Sequence, residues 1–228
     1  MGSIAQNIID IKKELPEGVT LCAVSKYHPI EALQEAYDAG QRIFAESREQ
    51  EAKLKWEALP KDIVWHFIGH LQTNKVKYIA PFVSVIQSVD SERLLDEIQK
   101  QALKNNRTID VLLQVHIAQE ETKSGFDAHD LEQLLSSVNV AQRWPNIRLT
   151  GMMAMASFTD NEVQIASEFR NLMLCYRTLL NGPLAAQGIT AEQFKTLSFG
   201  MSDDYHIAIA EGSNMVRIGS RIFGARQY

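Results

Sequence analysis

Long apolar runs are missing from this 228-residue chain. No segment approaches the length a helix needs to cross a bilayer, which argues against a membrane-spanning protein. The opening residues, Met1 to Asn7, lack the basic flank and apolar centre of a secretory signal. Cysteine is scarce: Cys22 and Cys175 lie far apart and neither sits in a metal-type spacing. That excludes a disulfide framework and reads as two small buried hydrophobes in a reducing compartment. An excess of positive charge is also absent. Acidic residues outnumber basic ones 28 to 23, the net charge is -5, and no basic run stands out. Nucleic acid and anionic membranes are therefore poor candidates for the main partner. The glycine signatures of dinucleotide-binding and P-loop folds are missing as well. With no internal repeat, low-complexity segment or long linker, the chain is expected to be a soluble, cytoplasmic single domain spanning 1–228.

What is present is a regular alternation. Ile4, Ile8, Ile11 and Leu15 recur at helical spacing, and Pro16-Glu17-Gly18 ends that first helix. Strands are then expected at 21–26, 42–45, 63–68, 83–88, 109–117, 147–153, 196–199 and 215–218. Helices are expected between them, at 29–39, 46–58, 73–79, from Ser91, at 131–138, 161–180 and 203–210. Eight strands alternating with helices at constant composition predict parallel βαβ units closed into one (β/α)8 TIM barrel with an extra N-terminal helix. The competing arrangement, an open doubly wound sheet, lacks its usual glycine motif.

In such barrels the site lies at the carboxyl ends of the strands, with phosphate often held by the loops after strands seven and eight. The first strand, Leu21-Cys22-Ala23-Val24-Ser25-Lys26, ends on an amine. That lysine is either solvated where the strand leaves the core, or partly desolvated and poised to form a Schiff base with a carbonyl compound. Gly200-Met201-Ser202-Asp203-Asp204 and Gly219-Ser220 place glycines and hydroxyls where phosphate would bind, although Ser202 and Ser220 could equally be helix N-caps. Arg217 shares a strand face with Met215 and Gly219, and pointing inward it needs either an acidic neighbour or a ligand. His66 and His70 are four residues apart but on a strand and loop rather than one helical face, so no metal is expected. Glu120, Glu121 and Lys123 are expected to form a solvated loop with internal ion pairs.

Several stretches together resemble the pyridoxal phosphate homeostasis protein family. They are Ala23-Val24-Ser25-Lys26, Trp65-His66-Phe67-Ile68-Gly69 with Leu71-Gln72 and Asn74-Lys75, Lys123-Ser124-Gly125, Gly151-Met152-Met153-Ala154, Leu197 to Asp204, and Val216-Arg217-Ile218-Gly219-Ser220. The likeness runs over essentially the whole chain. It implies a fold-type III barrel like the N-terminal domain of alanine racemase, with pyridoxal 5′-phosphate as cofactor. It further implies a Schiff base on Lys26, phosphate held around Ser202, Gly219 and Ser220, Arg217 facing the pyridine nitrogen, and Met201, His66 and Ser47 near the cofactor. One segment departs from the family pattern: Phe44-Ala45-Glu46-Ser47 stands where Phe-Gly-Glu-Asn is usual, so Ser47 is expected to contact the ring more weakly.

The resemblance implies a non-catalytic carrier involved in vitamin B6 and amino-acid balance, with apo pyridoxal enzymes as possible recipients. Alanine racemases add a C-terminal β-domain that supplies a catalytic tyrosine across a dimer. This chain stops soon after strand eight, which predicts no second domain and a monomer. The alternatives are a small pyridoxal-dependent racemase or lyase, and a barrel enzyme that uses Lys26 on a phosphorylated metabolite.

Overall fold

The computed structural model describes residues 3–120 and 124–225. Among them, eight parallel strands close into a barrel in simple sequence order, each hydrogen-bonded to the next and β8 back to β1. The strands are β1 Thr20–Val24, β2 Ile43–Glu46, β3 Val64–Phe67, β4 Val85–Val89, β5 Ile109–Gln114, β6 Ile147–Met153, β7 Thr196–Met201 and β8 Met215–Ile218. The helices are α1 Ile4–Glu14, α2 Ile30–Asp38, α3 Glu49–Ala58, α4 Val76–Ile79, α5 Glu92–Lys104, α6 Ala128–Ser137, α7 Val140–Arg143, α8 Glu162–Leu179, α9 Tyr205–Ala210 and α10 Ser220–Phe223. The expected (β/α)8 barrel and its additional N-terminal helix are both present. That helix, α1, is capped by the Ser3 side chain, buries Ile8 and Ile11, and packs against α2 and α10.

Two cores hold the molecule. The larger lies between the outer face of the barrel and the helices, where Phe44, Trp65, Phe67, Ile86, Val111, Leu113, Phe169 and Phe199 meet the inner helix faces. The smaller lies inside the barrel, where Cys22, Ala45 and Met215 pack with Val24, Ile43 and Ile68. Strand alternation produces both at once, because neighbouring residues point to opposite sides of the sheet. The pairing Cys22 with Arg217 in the β1–β8 register puts both on the inner side. The rest of that interior is polar: His66, Gln87 and Ser198 are all buried there. A polar layer inside a barrel is costly unless each group is paired, and here each is.

Several boundaries differ from the sequence-based expectation. β1 stops at Val24, so Lys26 lies in the turn beyond it and not on the strand. β2 runs through Glu46, and α3 starts only at Glu49, because Glu46 is drawn inside and its carbonyl accepts from Ile68 N–H at 2.9 Å. α6 begins earlier than Leu131, at Ala128, with Asp127 accepting from the N–H groups of His129 and Asp130. β7 extends to Met201. The short helices α7 and α10 carry too few apolar repeats to show in the pattern. Glu121 and Lys123 lie outside the described residues. Glu120 accepts a hydrogen bond from Phe158 N–H at 2.9 Å, so that carboxylate ties the loop after β5 to the loop after β6.

Candidate functional site

The turn after β1 brings Lys26 to the carboxyl end of the barrel. His28 N–H donates to Ser25 C=O at 3.1 Å, which closes a four-residue turn with Lys26 and Tyr27 at its centre. Tyr27 has φ 68, the left-handed region ordinarily left to glycine or asparagine at this place in a turn. The Arg48 guanidinium sits over its ring at 4.7 Å.

On the opposite side, β7 and β8 deliver their loops to the same place. Gly200 has φ +93, and a Cβ there would lie 2.6 Å from the Ala208 Cβ, so glycine lets α9 fold back tightly on the end of β7. Asp204 Oδ1 accepts Met201 N–H at 2.5 Å, and burial pushes that carboxyl above its usual range. Ser202 Oγ lies 3.5 Å from Gly219 N, which joins the two loops. Neither Ser202 nor Ser220 caps a helix with its side chain. The N-cap of α9 is Asp204 and that of α10 is Gly219, and neither makes a side-chain cap bond.

Arg217 is 3 % exposed and makes no ion pair among the described residues. Its Nη1 donates to Ser198 C=O at 2.6 Å and to Ser198 Oγ at 2.8 Å, and its Nη2 donates to Ala154 C=O at 2.9 Å. Of the two readings open for an inward arginine, the acidic neighbour is therefore replaced by carbonyls and a hydroxyl. Burial lowers its pKa to about 10, which keeps it charged at neutral pH. The arginine also orders the barrel interior behind it. Ser198 Oγ accepts from Arg217, so its own proton goes to Gln87 Oε1 at 2.7 Å. The Gln87 amide then points its Nε2 at His66 Nδ1, 2.6 Å away, which must accept. His66 is held as the neutral tautomer protonated on Nε2, and burial lowers its pKa to about 3.

Lys26, Met201, Ser202, Arg217, Gly219 and Ser220 all line one cleft of about 300 Å3, together with Val24, His28, Ile68, Met153, Met155, Phe158, Asp203 and Gly224. A larger cavity of about 670 Å3 adjoins it and shares Met155, Phe158, Met201 and Asp203. Ser47 and His66 are not among the cleft-lining residues. Ser47 is half-buried beneath Gly69, where a Cβ would come within 2.3 Å of the Ser47 carbonyl oxygen. His66 belongs to the barrel interior. His70 is exposed and faces Asp90 at 3.3 Å, and no metal-binding cluster forms among the described residues. The wall formed by His28, Met153, Met155 and Phe158 was not anticipated from the sequence, nor were the partners of Arg217. The His28 ring stacks on Phe223 at 5.0 Å, a contact between residues far apart in the chain. The donors gathered around the cleft are an amine, a guanidinium, two hydroxyls and the Gly219 backbone N–H, the last directed at Ser202 Oγ in this structure. This set suits a phosphorylated aldehyde: the amine for the carbonyl, the hydroxyls and N–H for the phosphate.

Comparison with known proteins agrees with this geometry. Residues 1–227 match the family model described as alanine racemase, N-terminal domain. A pyridoxal phosphate homeostasis protein of Aquifex aeolicus (strain VF5) is 40% identical over 209 residues, covering 91% of this chain and 87% of that protein. The protein of the same name in Escherichia coli (strain K12) is 34% identical over 242 residues, covering 100% of this chain and 99% of its own length. Among solved structures, PipY of Synechococcus elongatus PCC7942 superposes with a TM-score of 0.87 without pyridoxal phosphate and 0.85 with it bound. Its identity to this chain is 33% and 32%, and in both cases 97% of this chain and 100% of that one are covered. Alanine racemase of Clostridium difficile 630 shares the fold, with a TM-score of 0.76 at 17% identity over 99% of this chain and 57% of that one. The barrel, its full-length match to these relatives and their degree of identity place the chain in the pyridoxal phosphate homeostasis protein family.

Proposed function

We propose that this protein binds pyridoxal 5′-phosphate in the cleft and holds it reversibly as a Schiff base on Lys26. It thereby buffers a reactive aldehyde and contributes to vitamin B6 and amino-acid homeostasis, with little catalysis of its own. The observation that carries this reading is the convergence of Lys26, Arg217, Ser202, Gly219 and Ser220 on a single cleft. The bound cofactor would supply an aldehyde that condenses with a primary amine, releasing water. Ser202, Ser220 and the Gly219 N–H would hold its phosphate, Met201 would border it, and Arg217 would face the ring nitrogen. A permanently charged guanidinium there leaves that nitrogen unprotonated, which makes the ring a poor electron sink. The carrier reading is preferred to a racemase or lyase for that reason. We further propose a monomer in the cytoplasm, organised as one domain, with apo pyridoxal enzymes as recipients. Among the described residues no helix is long and apolar enough to cross a membrane.

The test is the near-visible spectrum of the purified protein supplied with pyridoxal phosphate, before and after borohydride. A Schiff-base band that reduction converts into a stable adduct on the Lys26 peptide is the expected result. Lys26→Ala should lose the band while circular dichroism still reports a folded barrel. An unchanged spectrum in that variant would overturn the proposal.

A further inference from the structure

Away from the cleft, a cluster of buried charge grips the chain on both sides of Lys26. Glu46 at the end of β2 and Lys55 on α3 are 0 and 3 % exposed. The Lys55 ammonium has three acceptors: Glu46 Oε1 at 2.7 Å, Glu51 Oε1 at 2.6 Å and the Ser25 carbonyl at 2.7 Å. Three donors therefore meet three acceptors. Ser25 is held a second time, because its hydroxyl donates to Glu46 Oε1 at 2.6 Å. On the other side of Lys26, the Tyr27 N–H donates to Glu51 Oε1 at 2.6 Å. The residue before Lys26 is thus fixed through its carbonyl and hydroxyl, and the residue after it through its amide.

The cluster is an expensive way to obtain stability. Burying an ion pair gains little over apolar packing of similar volume, and often nothing. What apolar packing cannot supply is directional bonding at two chosen backbone positions. Tyr27 shows why bonding is needed there. A tyrosine at φ 68 costs free energy and persists only where its surroundings impose the conformation, and the Glu51 carboxylate engages the N–H of that residue.

We propose that Lys55, with Glu46 and Glu51, is a positioning group for Lys26, fixing the strained turn that aims the Lys26 amine into the cleft. None of the three lines the cleft, so the effect passes entirely through the turn. The inference rests on the reading of Lys26 as the amine that reacts with pyridoxal phosphate.

The experiment compares Lys55→Met, Glu51→Ala and Glu51→Gln with the unaltered protein. It measures the initial rate at which the Schiff-base band forms after pyridoxal phosphate is added, and the fraction of bound cofactor that borohydride locks onto Lys26. Each protein is assayed well below its own thermal midpoint, so lost stability alone does not move either quantity. Lys55→Met and Glu51→Ala should still bind the cofactor but form the bond about tenfold to about a hundredfold more slowly, the cost of misplacing a reacting group by about 1 Å. Glu51→Gln keeps an acceptor for the Tyr27 N–H and should stay near the unaltered rate. Should Lys55→Met fail to fold, Glu51→Ala decides the matter, since it leaves the Lys55–Glu46 pair intact. Unchanged rates in Glu51→Ala, with Lys26 trapped normally in the unaltered protein, would overturn the positioning role alone. Failure to trap Lys26 in the unaltered protein would instead overturn the reading on which it rests.

Discussion

Arg217 shows how much one residue can settle. Its guanidinium is a donor in every protonation state available to a protein, so each acceptor it touches has a determined orientation, and the effect reaches His66 through Ser198 and Gln87. A neutral His66 with a pKa of about 3, against an ordinary 6.5, has a consequence for stability. Between those values the unfolded chain binds a proton that the folded one refuses. Stability from this group is therefore complete above pH 6.5 and is lost as pH falls towards 3, by up to about 5 kcal/mol. Glu46 acts in the opposite direction. Burial is the dominant influence on it and raises its carboxyl from 4.5 to about 7, with Lys55 and Ser25 opposing. Its contribution is complete below 4.5 and is lost as pH rises through 7. Between pH 4.5 and 6.5 the two slopes cancel. Denaturant midpoints of His66→Gln and the parent, measured across that window, should diverge, the variant gaining relative to the parent as pH falls. Parallel curves would mean that His66 is not held neutral. The sequence marks Arg217 as an inward charge and His66 as an imidazole that either contacts the cofactor or is hydrogen-bonded, and the structure shows its hydrogen bond to Gln87. Gln87 and Ser198 are not marked, because an isolated glutamine or serine in an apolar strand carries no signal until its partner is known.

At the scale of elements, the loops after β1, β7 and β8 decide the site. Each was located from the sequence, since Pro29, Gly200 and Gly219 mark where strands give way to turns. Their conformations were not legible there. Nothing in Tyr27 announces a positive φ, and nothing in Glu46-Ser47-Arg48-Glu49 says that the first glutamate is buried in strand β2 and the last opens a helix. Both follow from contacts with α3, thirty residues away from Ser25 in the case of Lys55. Gly200 gives the element-scale prediction. Alanine there must adopt φ +93 with its Cβ 2.6 Å from Ala208 Cβ and 3.0 Å from Tyr205 Cα. Gly200→Ala should cost about 1–3 kcal/mol in a urea titration. By moving α9 off β7 it should also displace Ser202 and weaken pyridoxal phosphate binding. Gly18→Ala makes the control, since its φ is +85 but nothing lies within 4 Å of the added carbon and it is remote from the cleft. That variant should be destabilised without loss of binding.

For the whole molecule, the barrel separates two tasks: an outer core that binds helices to strands, and an inner layer that is partly polar and leads to the cleft. A site of this kind should bind an aldehyde well and stabilise a carbanion poorly. Alanine incubated in deuterated water with the loaded protein should therefore show no exchange of its α-hydrogen above the rate with free pyridoxal phosphate. Rapid exchange would favour the racemase or lyase reading. Sedimentation should report a monomer, with or without cofactor. The barrel itself was determined by the sequence alone, because strand and helix periodicities are local and eight alternations leave few ways to bury every apolar face. The family motifs, being short contiguous stretches, were equally legible. Only the tertiary structure decided which side chains share the cleft, that Arg217 is satisfied by carbonyls and not by a carboxylate, and that Glu46, Glu51 and Lys55 close around Lys26. Those outcomes depend on burial and on hydrogen bonds between residues far apart in the chain, and neither is written in the residues taken one neighbourhood at a time.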